Sequence, residues 1–212
     1  MPAYLPLYID VSGRRVVIFG GGPVGERKAR YFLQAEVVVV SRDFTPGLEA
    51  LGRDNVIRLV HMEISKDSLA SLVEGAFVAV AATGDPAMDE EIRHAAEKHH
   101  VLMNSAAGDS PVIVPSIVRR GPVMVAISTG GSSPALSKYL RQKLESSIGE
   151  DIEKMAVLQE KLRKRLKATV SDQKQRERII RDILEDPAVW KALGESPDAA
   201  YEAALRRGEA GK

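Results

Sequence analysis

Gly20, Gly22 and Gly25 stand as G-x-G-x-x-G between an apolar run, "VVIF", and a segment rich in Arg and Lys. That spacing serves a nucleotide diphosphate. The first glycine permits a tight turn, the second lets backbone approach the pyrophosphate, and the third lets a helix lie against its strand. A helix opening just past Pro23 and Val24 turns free N–H groups and the positive end of its dipole toward the anion. The next apolar run ends in Ser41-Arg42-Asp43. An acid at that place holds the adenosine ribose of NAD, and an Arg holds the 2′-phosphate of NADP. Both are present, and Asp43, 18 residues beyond Gly25, favours NAD with NADP left open. Thr83 and Gly84 close a further run, "FVAVAA", with residues small enough for a cofactor to cross.

A second cluster is "STGGSSPALS", residues 128–137. Ser133 fits an N-cap and Pro134 the first helical position, which leaves Gly130, Gly131 and Ser132 to offer N–H groups to an anion. Arg119, Arg120, Lys138 and Arg141 are near it in sequence. The plainer alternatives, a capped helix start and a solvated hairpin tip, stay open.

Positioning these residues takes a sheet covered by helices. Apolar runs at 15–19, 37–41, 56–61, 77–82 and 101–104 alternate with helical patterns at 25–34, 46–51, 66–72 and 86–99. Runs apolar on both faces indicate buried parallel strands, hence an α/β, Rossmann-like domain. Residues 5–11 read as one more strand ahead of the first. Past residue 110 two strand-like runs are separated by Arg119-Arg120-Gly121-Pro122 with no room for a crossover helix, so they pair antiparallel, as in a small dimerisation unit. From Ser133 the chain is helical. The predicted division is 1–112 for NAD binding, 113–149 for dimerisation and 150–212 as a helical domain.

The 212 residues are 44% apolar and carry a net charge of +1. The absence of cysteine removes disulfides, thiolate nucleophiles and thiolate metal sites. His61, His94, His99 and His100 are too scattered for a ligand set, so no metal site is predicted. Between 161 and 181, nine Lys/Arg face two acids without interleaved aromatics, which reads as a solvated helical face and not a nucleic-acid surface. No apolar run approaches the length of a membrane span, and the expected location is cytoplasmic.

Three stretches, "LPLYIDVSGRRVVIFGGGPVGERKARYFL", "VAVAATGDPAMDEEI" and "PSIVRRGPVMVAISTGGSSPALSKYLRQKLES", together resemble the precorrin-2 dehydrogenase / sirohydrochlorin ferrochelatase family, equivalent to the N-terminal half of siroheme synthase. The S-T-G-G-x-S-P loop carries most of the resemblance. It implies NAD-dependent oxidation of precorrin-2 to sirohydrochlorin, followed in some members by insertion of Fe²⁺ as a second substrate, in a homodimer. The polycarboxylate tetrapyrrole would meet Asn104, Ser105, Arg119, Arg120, Lys138 and loop residues Ser128, Thr129, Gly130, Gly131 and Ser132. In the family an Asp follows the Asn in an N-x-x-D pattern and acts as base. Here Ala107 fills that position, so Asp109, the nearest acid, is expected to take the role; the other account is that the acid is lost. A nucleotide-sensing module without catalysis is the competing reading.

Overall fold

The computed structural model describes residues 3–105 and 110–210. The chain divides between Val114 and Pro115 into two compact units.

In the first unit, β1 (Arg15–Phe19), β2 (Glu36–Ser41), β3 (Arg58–His61), β4 (Val78–Ala81) and β5 (Leu102–Ser105) form one sheet in the order β3-β2-β1-β4-β5. Every pairing is parallel, with Val16 opposite both Val37 and Val78. Helices α1 (Pro23–Tyr31), α2 (Pro46–Arg53), α3 (Lys66–Val73) and α4 (Pro86–Lys98) make the crossovers. Alternation along β1 explains the layering. Val16 and Ile18 belong to the apolar cluster holding Ala29 and Leu48, while Val17 and Phe19 belong to the one holding Leu69, Val73 and Ile92. Burial on both faces calls for apolar side chains on successive residues, and "RVVIF" and "EVVVVS" supply them, mostly β-branched.

One expected strand is not formed. Residues 5–11 pair with no strand, and Leu5, Leu7, Tyr8 and Ile9 are exposed. Apolar content sufficed for the expectation but a ladder needs a vacant edge. The far side of β5 already receives Val112, whose N–H donates to Met103 O (3.1 Å), and Pro6 has no N–H to offer.

The second unit opens with β6 (Ser116–Arg120) and β7 (Val123–Ile127), antiparallel with Arg120 opposite Val123. Arg119 and Arg120 therefore belong to the strand, and Gly121-Pro122 alone forms the turn, with Gly121 at φ +52°. Then follow α5 (Pro134–Ser147), α6 (Glu150–Thr169), α7 (Gln173–Leu184), α8 (Pro187–Glu195) and α9 (Pro197–Ala210). Met155, Leu158 and Leu162 make the core stripe of α6 and meet Ile179, Ile183, Val189 and Ala204. α6 packs on β6 and β7 as well as on α7, α8 and α9. The strand pair and the helices, separated at 149/150 in the sequence reading, are one body. Among the described residues no helix is long and apolar enough to cross a membrane.

Candidate active site

A doubly wound sheet opens a crevice at its carboxyl edge where strand order reverses, here between β1 and β4. Gly20 ends β1 at φ +117°, and its N–H donates to Val40 O (2.9 Å). A Cβ on Gly20 would lie 2.2 Å from Ala82 O, so the exits of β1 and β4 touch backbone to backbone. A Cβ on Gly25 would lie 1.9 Å from Gly20 O, which puts α1 directly against the turn. Gly22 is different. Nothing lies within 4 Å of its missing Cβ, and it is the N-cap of α1 without any side-chain cap. Pro23 has no N–H, Glu26 N–H is taken by Gly22 O (2.9 Å), and the N–H groups of Val24 and Gly25 have no acceptor among the described residues. Two aligned donors, a helix dipole and open space at Gly22 fit a nucleotide diphosphate.

The loop after β2 folds onto this turn. Thr45 N–H donates to Gly21 O (3.0 Å), and Gly21, which the motif leaves unspecified, would drive a Cβ to 2.0 Å from Asp43 O. Thr45 Oγ1 donates to Glu26 Oε2 (2.5 Å), while Arg30 pairs with Glu26 Oε1 (2.7 Å). Thr45 first and Arg30 second hold the Glu26 carboxyl below its ordinary value. Ser41 is half-buried; Arg42 is exposed and 3.8 Å from Glu63, and Asp43 is exposed with no side-chain partner among the described residues.

At the exit of β4, Gly84 has φ +79° with open space around it. Thr83 N–H (3.2 Å) and Oγ1 (2.6 Å) both donate to Asp89 Oδ1, and Asp89 is 9% exposed. At the exit of β5, Asn104 is buried. Its Oδ1 accepts from Lys28 Nζ (2.8 Å) and its Nδ2 donates to Val112 O (2.7 Å). Burial, then the charge of Arg27, lowers the pKa of Lys28. Each polar atom of Asn104 thus has one partner inside the protein, with one lone pair on Oδ1 and one hydrogen on Nδ2 left over. Half-buried Ser105 donates its N–H to Ser110 Oγ (3.0 Å), which closes the base of the intervening loop. Asp109 lies outside the described residues.

In the second unit, Ser133 caps α5, accepting from Leu136 N–H (3.2 Å), with Pro134 first in the helix as expected. The preceding loop differs from expectation. Gly130 N–H goes to Ser128 Oγ (3.1 Å) and Ser132 N–H to Thr129 O (3.2 Å), so of the three expected donors Gly131 alone is unclaimed. Thr129 Oγ1 also accepts from Ser133 N–H (3.0 Å). Two consecutive glycines at positive φ turn the chain so tightly that it satisfies itself. Arg120 Nε donates to Ile148 O (3.1 Å) and caps the C-terminus of α5. Arg119 and Lys138 are exposed.

Sequence reasoning missed Gly21, Glu26, Lys28 and Asp89. The charged three look like ordinary helical surface in the sequence, and only the fold shows that their partners lie on other segments.

The family model described as NAD(P)-binding matches residues 7–116, and the model for the central part of sirohaem biosynthesis proteins matches residues 120–147. A precorrin-2 dehydrogenase of Methanosarcina barkeri is 38% identical over 205 residues, covering 95% of this chain and 92% of the relative. Siroheme synthase 2 of Cronobacter sakazakii is 34% identical over 93% of this chain, which spans 43% of that longer protein. Among solved structures, SirC, a precorrin-2 dehydrogenase, superposes with a TM-score of 0.78 over 97% of this chain and 99% of its own at 22% identity, which establishes a shared fold. Matched almost end to end by a relative of this identity, and over residues 7–116 by the NAD(P)-binding family model, the chain belongs to the precorrin-2 dehydrogenase family.

Proposed function

We propose that this protein oxidises precorrin-2 to sirohydrochlorin with NAD in siroheme biosynthesis. The observation that carries the reading is the uncapped start of α1, with Val24 and Gly25 N–H groups unclaimed beside the open face of Gly22. Gly20, Gly22, Pro23, Val24 and Gly25 hold the diphosphate, Ser41 and Asp43 the adenosine ribose, and Thr83 and Gly84 flank the nicotinamide half. NAD, when bound, supplies the hydride acceptor. Asp43 has no side-chain partner among the described residues and Arg42 lies 3.8 Å from Glu63, which favours NAD over NADP.

Oxidation releases a proton along with the hydride, and a carboxylate at the edge of the sheet is the fitting acceptor. Asp109 is assigned this task. Arg119, Lys138 and the Gly131 N–H are the groups of the second unit offered to substrate carboxylates, with Ser128, Thr129, Gly130 and Ser132 shaping the loop. The protein acts as a cytoplasmic homodimer through the β6–β7 and α5 region, where Leu136 (47%) and Tyr139 (58%) are exposed. Fe²⁺ would be a second substrate, taken up by the tetrapyrrole nitrogens, as the resemblance to the ferrochelatase family implies.

The test mixes protein, NAD and precorrin-2 and follows NADH absorbance, then adds Fe²⁺. Production of NADH before metal supports the dehydrogenase, and its absence rejects the reading. A further metal-dependent spectral change above the uncatalysed rate adds the chelatase. Asp109→Ala is expected to lower turnover by about 100-fold, the scale of general-base catalysis; near-normal turnover rejects that assignment.

A further inference from the structure

We propose that Asp89 is a positioning residue for the nicotinamide nucleotide, acting through Thr83. The proposal rests on the nucleotide crossing the β1–β4 crevice and adds a residue that the glycine motif does not contain.

An acid in the first turn of a helix commonly does no more than complement the dipole from the solvent side. Asp89 does something else. The cap of α4 is already provided by Asp85, whose Oδ1 accepts from Ala87 N–H (2.9 Å), so Asp89 is not needed there. Asp89 is instead turned inward and 9% exposed, a placement that costs desolvation unless the carboxylate is hydrogen-bonded. Both donors it receives come from one residue, Thr83 N–H at 3.2 Å and Thr83 Oγ1 at 2.6 Å. An ionised carboxylate can only accept, so the Thr83 proton points at Asp89. The hydroxyl in turn accepts from Asp85 N–H (3.1 Å), which leaves a single lone pair. Backbone and hydroxyl of Thr83 are therefore fixed together.

What is fixed is one wall of the crevice. The missing Cβ of Gly20 would meet Ala82 O at 2.2 Å and Thr83 N at 3.1 Å, so residues 82 and 83 stand directly against the glycine turn. Gly84, next in the chain, is at φ +79° with open space where a Cβ would stand. Asp89 is thus the anchor that keeps Thr83 against the turn. Its second oxygen takes no hydrogen bond among the described residues, and Asp89 lines an open groove of about 750 Å³ with Met103 and Ser105.

Four variants test this: Asp89→Ala, Asp89→Asn, Thr83→Val and the Asp89→Ala/Thr83→Val double. Two quantities are measured, the dissociation constants of NAD and NADH by fluorescence titration, and hydrogen exchange of the Thr83 amide in nucleotide-free protein. Asp89→Ala is expected to weaken nucleotide binding about tenfold, the worth of a charged hydrogen bond, and to abolish Thr83 amide protection. Asp89→Asn keeps an acceptor oxygen and stays within about threefold of wild type. The double variant is expected to bind no worse than the weaker single, because the two residues act as one unit. If Asp89→Ala does not fold, Asp89→Asn and Thr83→Val carry the same comparison. Wild-type affinity in Asp89→Ala, or full additivity in the double, overturns the proposal. A wild-type protein that binds neither nucleotide overturns the functional reading instead, and unchanged Thr83 exchange in Asp89→Ala then still rejects the anchor.

Discussion

The glycines of the crevice serve two different needs, and substitution separates them. Gly25 faces Gly20 O at a distance no side chain tolerates, so Gly25→Ala must displace α1 and is expected to lower stability by about 3 kcal/mol, the upper range for overpacking. Gly22 has open space and an ordinary φ of −78°, so Gly22→Ala should leave the melting temperature within a few degrees. It would, however, fill the place of the diphosphate, and nucleotide affinity is expected to fall at least about tenfold. Thermal melting beside nucleotide titration distinguishes the pair; equal melting losses would contradict the division. The motif was legible because it encodes backbone requirements local to six residues. Asp89 and Lys28 were not, because their partners, Thr83 and Asn104, become neighbours only when β4 and β5 are in place. Asn104 was read as a substrate contact from the family resemblance, and the structure adds that its amide also bonds Lys28 and Val112. Lys28→Met should therefore cost about 1 kcal/mol by orphaning Asn104 Oδ1, measured by chemical denaturation.

At the scale of elements, the first crossover is tied to the second by Glu26. Thr45 and Arg30 hold its carboxyl below the ordinary 4.5, so the folded state binds its proton less readily than the unfolded chain. Its stabilising effect is thus fully present above that value and is lost as pH falls through it into the depressed range. Thr45→Val removes the principal donor, and its melting temperature is expected to fall less steeply than wild type between pH 5 and pH 3, by calorimetry; parallel curves would show that Glu26 contributes nothing to the acid limb. The parallel order and the helix starts at Pro46, Pro86 and Pro134 were readable from apolar runs and N1 prolines. The failed strand at 5–11 shows the limit of that reading. Hydrophobic content reports on a segment, whereas strand formation depends on whether a neighbour has hydrogen bonds to give.

For the molecule as a whole, the division between Val114 and Pro115 falls two residues beyond the boundary read from the sequence. The boundary at 149/150 is not a division of compactness, because α6 packs against β6 and β7 through a surface that helical periodicity cannot assign to a partner. The proposed dimer depends on this second unit. Leu136 and Tyr139 on α5 are exposed, and Tyr139→Asp is expected to convert dimer to monomer in sedimentation velocity. A wild-type chain sedimenting as a monomer would remove the dimer from the proposal. The turn linking β1 to α1 has a consequence for exchange of the cofactor. The closest approaches there are backbone to backbone, at Ala82 O, Asp43 O and Gly20 O, with the Phe44 ring and Ser41 Cβ packed just behind. A socket built in this way cannot widen to release its occupant. Departure must be timed by something hinged outside the socket, because the stretch from Arg42 to Thr45 is held to the turn by two bonds of Thr45, its N–H to Gly21 O and its Oγ1 to Glu26 Oε2.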